Sequence, residues 1–456
     1  MTSAYPMPAA PHMTGARVVG AAFDKPVLAQ IAFAVVPAMA ATAAGRPSTG
    51  AIYLLSVLFL CLVYHFVTRT PAAASAVVIG TLPVWMLLRN YFFYNSIEIV
   101  LALCVCAWME GNRSDLRAVW KDGLVRCFFA FFAIYWALAW AFTGSYASEM
   151  RAFELVFSAL NVCLLGKHRR LLGTAFAGVA VSVVAIGLGL LPYGDRLGMA
   201  EVDGSRLGNP ISFGIPAALV LLLSMADGGR WMLLTAHPYL RIAINCVTGL
   251  LLALSTSRGS WLVLIVGVAV ILCTDRKQRK VLLLSVAALC MCVFVWMRVE
   301  PSGTLQHYLE KTFSPDESWS KRTTGRAEQW EAFPRVIADS PAFGFGPGNG
   351  RRISVLYAHK NIIWHSTYMQ FGAETGLIGL GLLVLLLAAF VKRAWRHYAR
   401  VKEVMPLIGI LGFLTIGVSV PALDGLSGMF LGLALIGCDF SRFWVVRRGM
   451  AVARPE

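Results

Sequence analysis

Apolar residues run through this chain in long blocks set apart by short polar breaks. The blocks fall near 27–44, 50–67, 73–88, 92–109, 124–142, 150–165, 171–191, 210–226, 237–256, 260–274, 281–298, 367–391, 406–421 and 427–444. A bilayer core takes about 20 apolar residues of helix, so each block is a candidate membrane span. Several are short, and one or two pairs could be re-entrant or broken helices. The pattern therefore predicts an all-α polytopic membrane protein of twelve to fourteen spans. One polar island, Val299 to Ser366, interrupts the series and returns directly to apolar sequence. Within it Gly303–Phe313 and Gly325–Ala338 have helical patterns. Thr323 or Thr324 is placed to cap the second helix, Glu328 stands in its first turns, and Pro334 is placed to kink or end it. The glycines at 344, 346, 348 and 350 predict a tight turn. That run lacks the Lys-Ser/Thr of a phosphate-binding loop and does not lie between strand and helix, which excludes a nucleotide reading.

Composition fits the pattern: 58% of the 456 residues are apolar and 14% charged, too little polar surface for a soluble domain of this size. The formal net charge of +16 does not point to nucleic acid. Its basic clusters lie at Arg113/Arg117/Lys121, Lys167/Arg169/Arg170, Arg276/Lys277/Arg279/Lys280, Lys392/Arg393/Arg396/Arg400/Lys402 and Arg447/Arg448. Those are alternate loops, as the positive-inside rule requires. Both termini are then expected in the cytoplasm and the island on the opposite face. The chain divides into an N-terminal arm (1–25), a transmembrane helical domain (26–298), the large external loop (299–366), C-terminal transmembrane helices (367–445) and a cytoplasmic tail (446–456). The ten cysteines all sit in or beside apolar blocks, with neither a disulfide framework nor zinc spacing.

The candidate chemistry gathers on the external side. Arg206, just before one block, and Arg258, in the turn Ser255–Trp261 between two others, run against the charge bias of that face. Guanidinium forks match phosphate oxygens, although each arginine alone is equally a snorkelling or helix-end charge. His365 closes the island; an imidazole there can take a proton from a sugar hydroxyl, or serve as an ordinary interfacial histidine. Glu374 lies inside the following apolar block, where a carboxylate must face protein or water. It is placed to fix the helix through backbone hydrogen bonds or an arginine. Glu98 and Asp424 pose the same question, Arg326 and Arg322 are further candidate grips on substrate, and Trp364 reads as an interface anchor. No group of ligand spacing predicts a metal site.

Taken together, Ser255–Trp261, Arg326 with Trp330, Pro341–Gly346, His365-Ser-Thr-Tyr-Met and Glu374–Gly379 resemble the bacterial O-antigen ligase family, whose membrane domain also occurs in O-antigen polymerases. The likeness covers about residues 200–385; serine at 366 and Met369 replace the family's usual asparagine and leucine, and the histidine is kept. The resemblance implies a GT-C type membrane glycosyltransferase of about twelve spans in the bacterial inner membrane. It would move O-antigen from undecaprenyl diphosphate to the lipid A–core oligosaccharide at the periplasmic face, with neither metal nor cofactor. On that likeness Arg206 and Arg258 hold the diphosphate, His365 is the general base, and Glu374, Arg326 and Asp424 support the site. A polymerase is the nearest alternative, though only one external loop is large. A lipid-linked sugar transporter would be expected to show mid-membrane charges and related halves, which the sequence lacks. Membrane lipids are the other expected partners, nucleic acid is not one, and the oligomeric state is left open.

Overall fold

The computed structural model describes residues 24–92, 96–143, 150–191, 200–202, 205–207, 210–229, 231–232, 238–274, 279–299, 326–361, 363–420 and 424–436. Each of the fourteen apolar blocks is a helix. They are α1 (Lys25–Ala43), α2 (Pro47–Val67), α3 (Pro71–Leu87), α4 (Ser96–Gly111), α6 (Gly123–Thr143), α7 (Met150–Leu165) and α8 (Arg169–Leu190), followed by α9 (Pro210–Met225), α10 (Pro238–Ser255), α11 (Arg258–Thr274), α12 (Arg279–Val299), α15 (Thr367–Val401), α16 (Met405–Ser419) and α17 (Gly425–Ile436). Between α4 and α6 lies a short amphipathic helix, α5 (Arg113–Trp120), and the island contributes α13 (Ala327–Asp339) and α14 (Gly350–Ala358). α1, α2, α6, α8 and α15 are each long and apolar enough to cross a membrane, and eight further helices are apolar but shorter. The chain is a multi-pass membrane protein. One departure from an all-helical reading is a hairpin before α9, in which β1 (Ala200–Val202) pairs antiparallel with β2 (Ser205–Leu207).

Small residues let the helices approach closely, as they do where water gives no help to packing. A Cβ on Gly80 of α3 or Gly178 of α8 would stand 2.6 or 2.7 Å from the Ile31 side chain of α1. On α17, Gly428 and Gly432 lie against the Leu155 and Ala159 carbonyls of α7, at 2.6 and 2.8 Å from where a Cβ would be. α17 is buried along its whole length.

Ion pairs tie one end of the bundle together. Asp115 of α5 meets Lys167 at 3.0 Å and His168 at 3.1 Å. Arg169 meets Glu403 at 3.0 Å, and Arg393 of α15 pairs with Asp122 at the start of α6. Three of the basic clusters, those around 113–121, 167–170 and 392–402, thus meet at this end. At the other end lie the α10–α11 turn, the last turn of α16, the first turns of α7, α15 and α17, and the island.

The island departs from its expected form in three ways. Gly303–Phe313, Arg322, Thr323 and Thr324 lie outside the described residues. Arg326 occupies the N-cap position of α13 and makes no side-chain capping bond. Pro334 does not end α13, which runs on to Asp339; the proline stands on the exposed face while Ala332 and Val336 hold the inner face in a core. Trp364 is no interface anchor. It is 0% exposed, packed edge-on to Phe333 at 5.9 Å among Ala332, Val336, Ile353, Ala358 and Ala373. α13 and α14 close a small core of their own over the start of α15, and the indole is enclosed by it.

Candidate active site

His365 is held by what precedes and follows it. Its backbone N–H donates to Oε1 of Gln329 at 2.9 Å. The Gln329 amide nitrogen donates to Ser354 Oγ at 3.0 Å and to the Ile363 carbonyl at 3.1 Å. Gln329 is 0% exposed, so one buried amide links α13, α14 and the segment carrying the histidine. The next three residues all donate to the end of α16: Ser366 Oγ to the Gly417 carbonyl at 3.1 Å, Thr367 Oγ1 to Val420 at 3.2 Å and Tyr368 OH to Leu414 at 3.0 Å. A helix leaves its last carbonyls without internal partners; Ser366 and Thr367 bond to carbonyls of that kind, and Tyr368 reaches one a turn further back.

The His365 ring is half-buried, and no side chain among the described residues hydrogen-bonds it. Burial, reinforced by the Arg326 guanidinium, pulls its pKa down to about 4. The imidazole is therefore neutral at ordinary pH, the state that can take a proton. Arg326 is itself pulled below the usual guanidinium value by burial and then by the charge of Arg258, and its buried Nε has no hydrogen-bond partner among the described residues. Arg258 is the first residue of α11. The tight approach of this turn to its neighbours places it: a Cβ on Gly259 would stand 2.4 Å from Ser419 Oγ of α16, and one on Gly214 of α9 would stand 2.4 Å from Ser260 Oγ. Arg326 thus lies within electrostatic reach of both Arg258 and His365, which come from separate parts of the chain.

Glu374 lies two turns along α15 from the histidine and is 1% exposed. Its carboxylate accepts from Tyr135 OH of α6 at 2.6 Å, Gly348 N at 3.0 Å, Gly350 N at 2.9 Å and Gln370 Nε2 at 3.1 Å. Just below it α15 breaks at Gly376 (φ 66°, ψ −167°), a backbone state open to glycine almost alone. The turn Pro341–Gly346 is spliced into the break. Phe345 N and Gly346 N donate to the Ala373 and Glu374 carbonyls at 3.0 and 2.9 Å, while Leu377 N and Ile378 N donate to Pro341 and Ala342 at 2.8 and 3.3 Å. The two hydrogen bonds that an unbroken helix would make here, from Leu377 N to the Ala373 carbonyl and from Ile378 N to that of Glu374, are replaced by four to the turn. Gly344 and Gly346 adopt positive φ here, +65° and +92°, as the sequence pattern requires.

The remaining sequence candidates lie elsewhere. Arg206 stands in β2, in register with Glu201; its side chain lies outside the described part of the structure. Asp424 caps α17, accepting from Ser427 N at 2.8 Å. Glu98 belongs to a second polar cluster, in which Arg89 reaches Glu98 at 3.4 Å and Glu154 at 2.8 Å. Glu154 in turn accepts weakly from Gly425 N at 3.4 Å. No group of His, Cys, Asp and Glu suited to a metal occurs among the described residues. Sequence reasoning missed Gln329, Tyr135, Arg89 and Glu154. Glu154 was within reach, because it carries the same signal as Glu98 and Glu374, a lone carboxylate in an apolar block.

Residues 243–384 match the family described as O-Antigen ligase. The match runs from α10 into α15, taking in Arg258, Arg326, His365 and Glu374 and leaving out Arg206 and Asp424. No curated protein matches the chain.

Proposed function

Starting from membership of the O-antigen ligase family, carried by residues 243–384, we propose that the protein is an O-antigen ligase of the bacterial inner membrane. It transfers the glycan from undecaprenyl diphosphate to the lipid A–core oligosaccharide at the periplasmic face, by a GT-C type mechanism. The observation that carries this reading is the place of Arg326 between Arg258 and a neutral His365, its charge interacting with both. Mutually repelling guanidinium groups in a partly buried site are relieved by an anion, and a diphosphate fits their planar forks.

The chemistry follows from that placement. A ring nitrogen of His365 takes the proton of the acceptor hydroxyl as its oxygen attacks the anomeric carbon. The bond from that carbon to the diphosphate breaks, and both bonding electrons leave with the phosphate oxygen. Arg258 and Arg326, joined by Arg206, stabilise the charge that develops there. Attack opposite the leaving group inverts the anomeric centre. Burial is the main cause that holds His365 low and the Arg326 charge the second; bound diphosphate offsets the second, so donor binding makes the imidazole a stronger base. The guanidinium groups supply the charge neutralisation, and transfer is expected to proceed in a chelator.

Purified protein in vesicles, given lipid-diphosphate-linked glycan and lipid A–core, tests the proposal with wild type beside His365→Ala. Expected is product on lipid A–core from wild type and its loss in the variant, which still binds donor. Longer glycan on the lipid carrier, with none on lipid A–core, would make the protein a polymerase. Flux of donor across the vesicle without transfer would make it a transporter.

A further inference from the structure

The island is expected as an external loop, but its turn Pro341–Gly346 is hydrogen-bonded to the membrane-spanning helix α15. The Arg393–Asp122 pair fixes one boundary of the apolar zone, since it joins the first charges after the apolar run of α15 to the start of α6. Sixteen residues of unbroken helix separate Leu377 from Arg393, about 24 Å at 1.5 Å per residue. Twenty residues separate Asp122 from Phe142, about 30 Å, the thickness of a bilayer's hydrocarbon core. The two measures meet at the spliced turn. Gly346 packs against the Phe142 ring, 3.1 Å from its Cγ to where a Cβ would be, so it lies at the far boundary. Pro341 and Ala342, bonded to Leu377 and Ile378, lie about 6 Å inside it.

Phe343, at the tip of that turn, is 75% exposed, and its neighbours in depth are as open: Leu377 at 53%, Ile378 at 50% and Phe142 at 62%. The phenyl ring continues the lipid-facing surface of α15 and α6. Backbone at this depth is tolerated where its polar groups are paired within the protein; the bonds across the Gly376 break pair the Pro341 and Ala342 carbonyls and the Phe345 and Gly346 N–H groups, and Gly344 N donates to the Ser340 carbonyl at 3.3 Å.

We infer that Pro341–Gly346 is a re-entrant wedge, and that Phe343 inserts among the acyl chains of the leaflet on the island's side. The partner is a lipid surface rather than a protein. The inference requires only that the protein spans a bilayer and is independent of the reaction assigned to the site.

A fluorescent amino acid replacing Phe343 in the full-length protein, reconstituted in phosphatidylcholine vesicles, tests it. Leu385, 69% exposed on α15, serves as the lipid-facing comparison and Arg352 as the aqueous one. An unchanged thermal midpoint of each labelled protein shows that the fold is kept. Emission from position 343 is expected to fall with brominated acyl chains and to be unaffected by aqueous iodide. Bromines near the glycerol end should quench it more than bromines near the methyl end, the reverse of Leu385. Quenching by iodide alone, as at position 352, would put the turn in water and overturn the inference. Quenching by neither would mean that protein, such as a second copy of the chain, covers the ring, and would overturn it equally.

Discussion

Replacing Gln329 by leucine removes three hydrogen bonds while keeping the volume of the side chain. Each such bond contributes about 0.5–1.5 kcal/mol net. The lost acceptor and donors face the His365 N–H, the Ile363 carbonyl and the Ser354 hydroxyl. The hydroxyl can rotate to another partner and the other two lie in a partly exposed segment, so the cost to stability is about 2 kcal/mol. Thermal unfolding in micelles should therefore shift by only a few degrees. Activity should suffer more. Freed from Gln329, His365 is restrained only by the anchors that follow it, and a reacting group displaced by about 1 Å loses on the order of 100-fold in rate. Initial-rate kinetics should show kcat down by about that factor, with KM for the donor within about threefold, since Arg258 and Arg326 are untouched. Gln329→Glu separates positioning from mere support. It keeps an acceptor for the His365 N–H and puts a carboxylate near the imidazole, which should raise the acid limb of the rate profile. A leucine variant with wild-type kcat and reduced stability would refute the assignment of Gln329 as a positioning residue.

Other expectations follow from the same geometry. Because the His365 pKa is lowered to about 4, the neutral base persists as pH falls through 6.5, and kcat/KM should decline only near pH 4; Arg326→Ala removes one lowering cause and should move that limb upward. An acid limb at 6.5 in wild type would contradict this. Glu374→Ala takes the shared acceptor from the Gly348 and Gly350 N–H groups, the Tyr135 hydroxyl and the Gln370 amide in a buried place, and should cost about 2–5 kcal/mol, read as a lowered denaturation midpoint in micelles. Arg89→Met leaves Glu98 and Glu154 buried without their cation and should cost about 3–5 kcal/mol; adding Glu154→Gln should restore much of the loss, and no restoration would show that the pair does not act as one unit.

The helices were legible because apolar blocks and helix-length spacing are the same signal in a membrane protein. Arg258 and His365 were legible because charge and imidazole at the ends of apolar blocks are rare. Gln329 was not: a neutral amide changes neither hydropathy nor charge, and its value lies in bonds to backbone more than thirty residues away. The break at Gly376 was hidden for a related reason. The apolar run from Leu377 onward is continuous, and only the carbonyls of a distant turn reveal that the helix has opened. Trp364 was misplaced because an indole beside a polar island fits a membrane interface, and nothing local shows that α13 and α14 enclose it.

The anchors around His365 also dictate when, during synthesis, the site can come into being. Glu374 binds Tyr135, made 239 residues earlier, whereas Ser366 and Thr367 bind carbonyls 51 and 53 residues further on. At roughly 5–20 residues per second, the ribosome delivers those last partners some seconds after His365 itself. Until α16 has followed α15 into the bilayer, a nascent chain has the partners of its carboxylate, while its histidine has the Gln329 bond alone and none of the anchors that follow it. On the proposed reaction, a chain truncated before Leu414 should therefore be inactive, because it lacks the partners of Ser366, Thr367 and Tyr368.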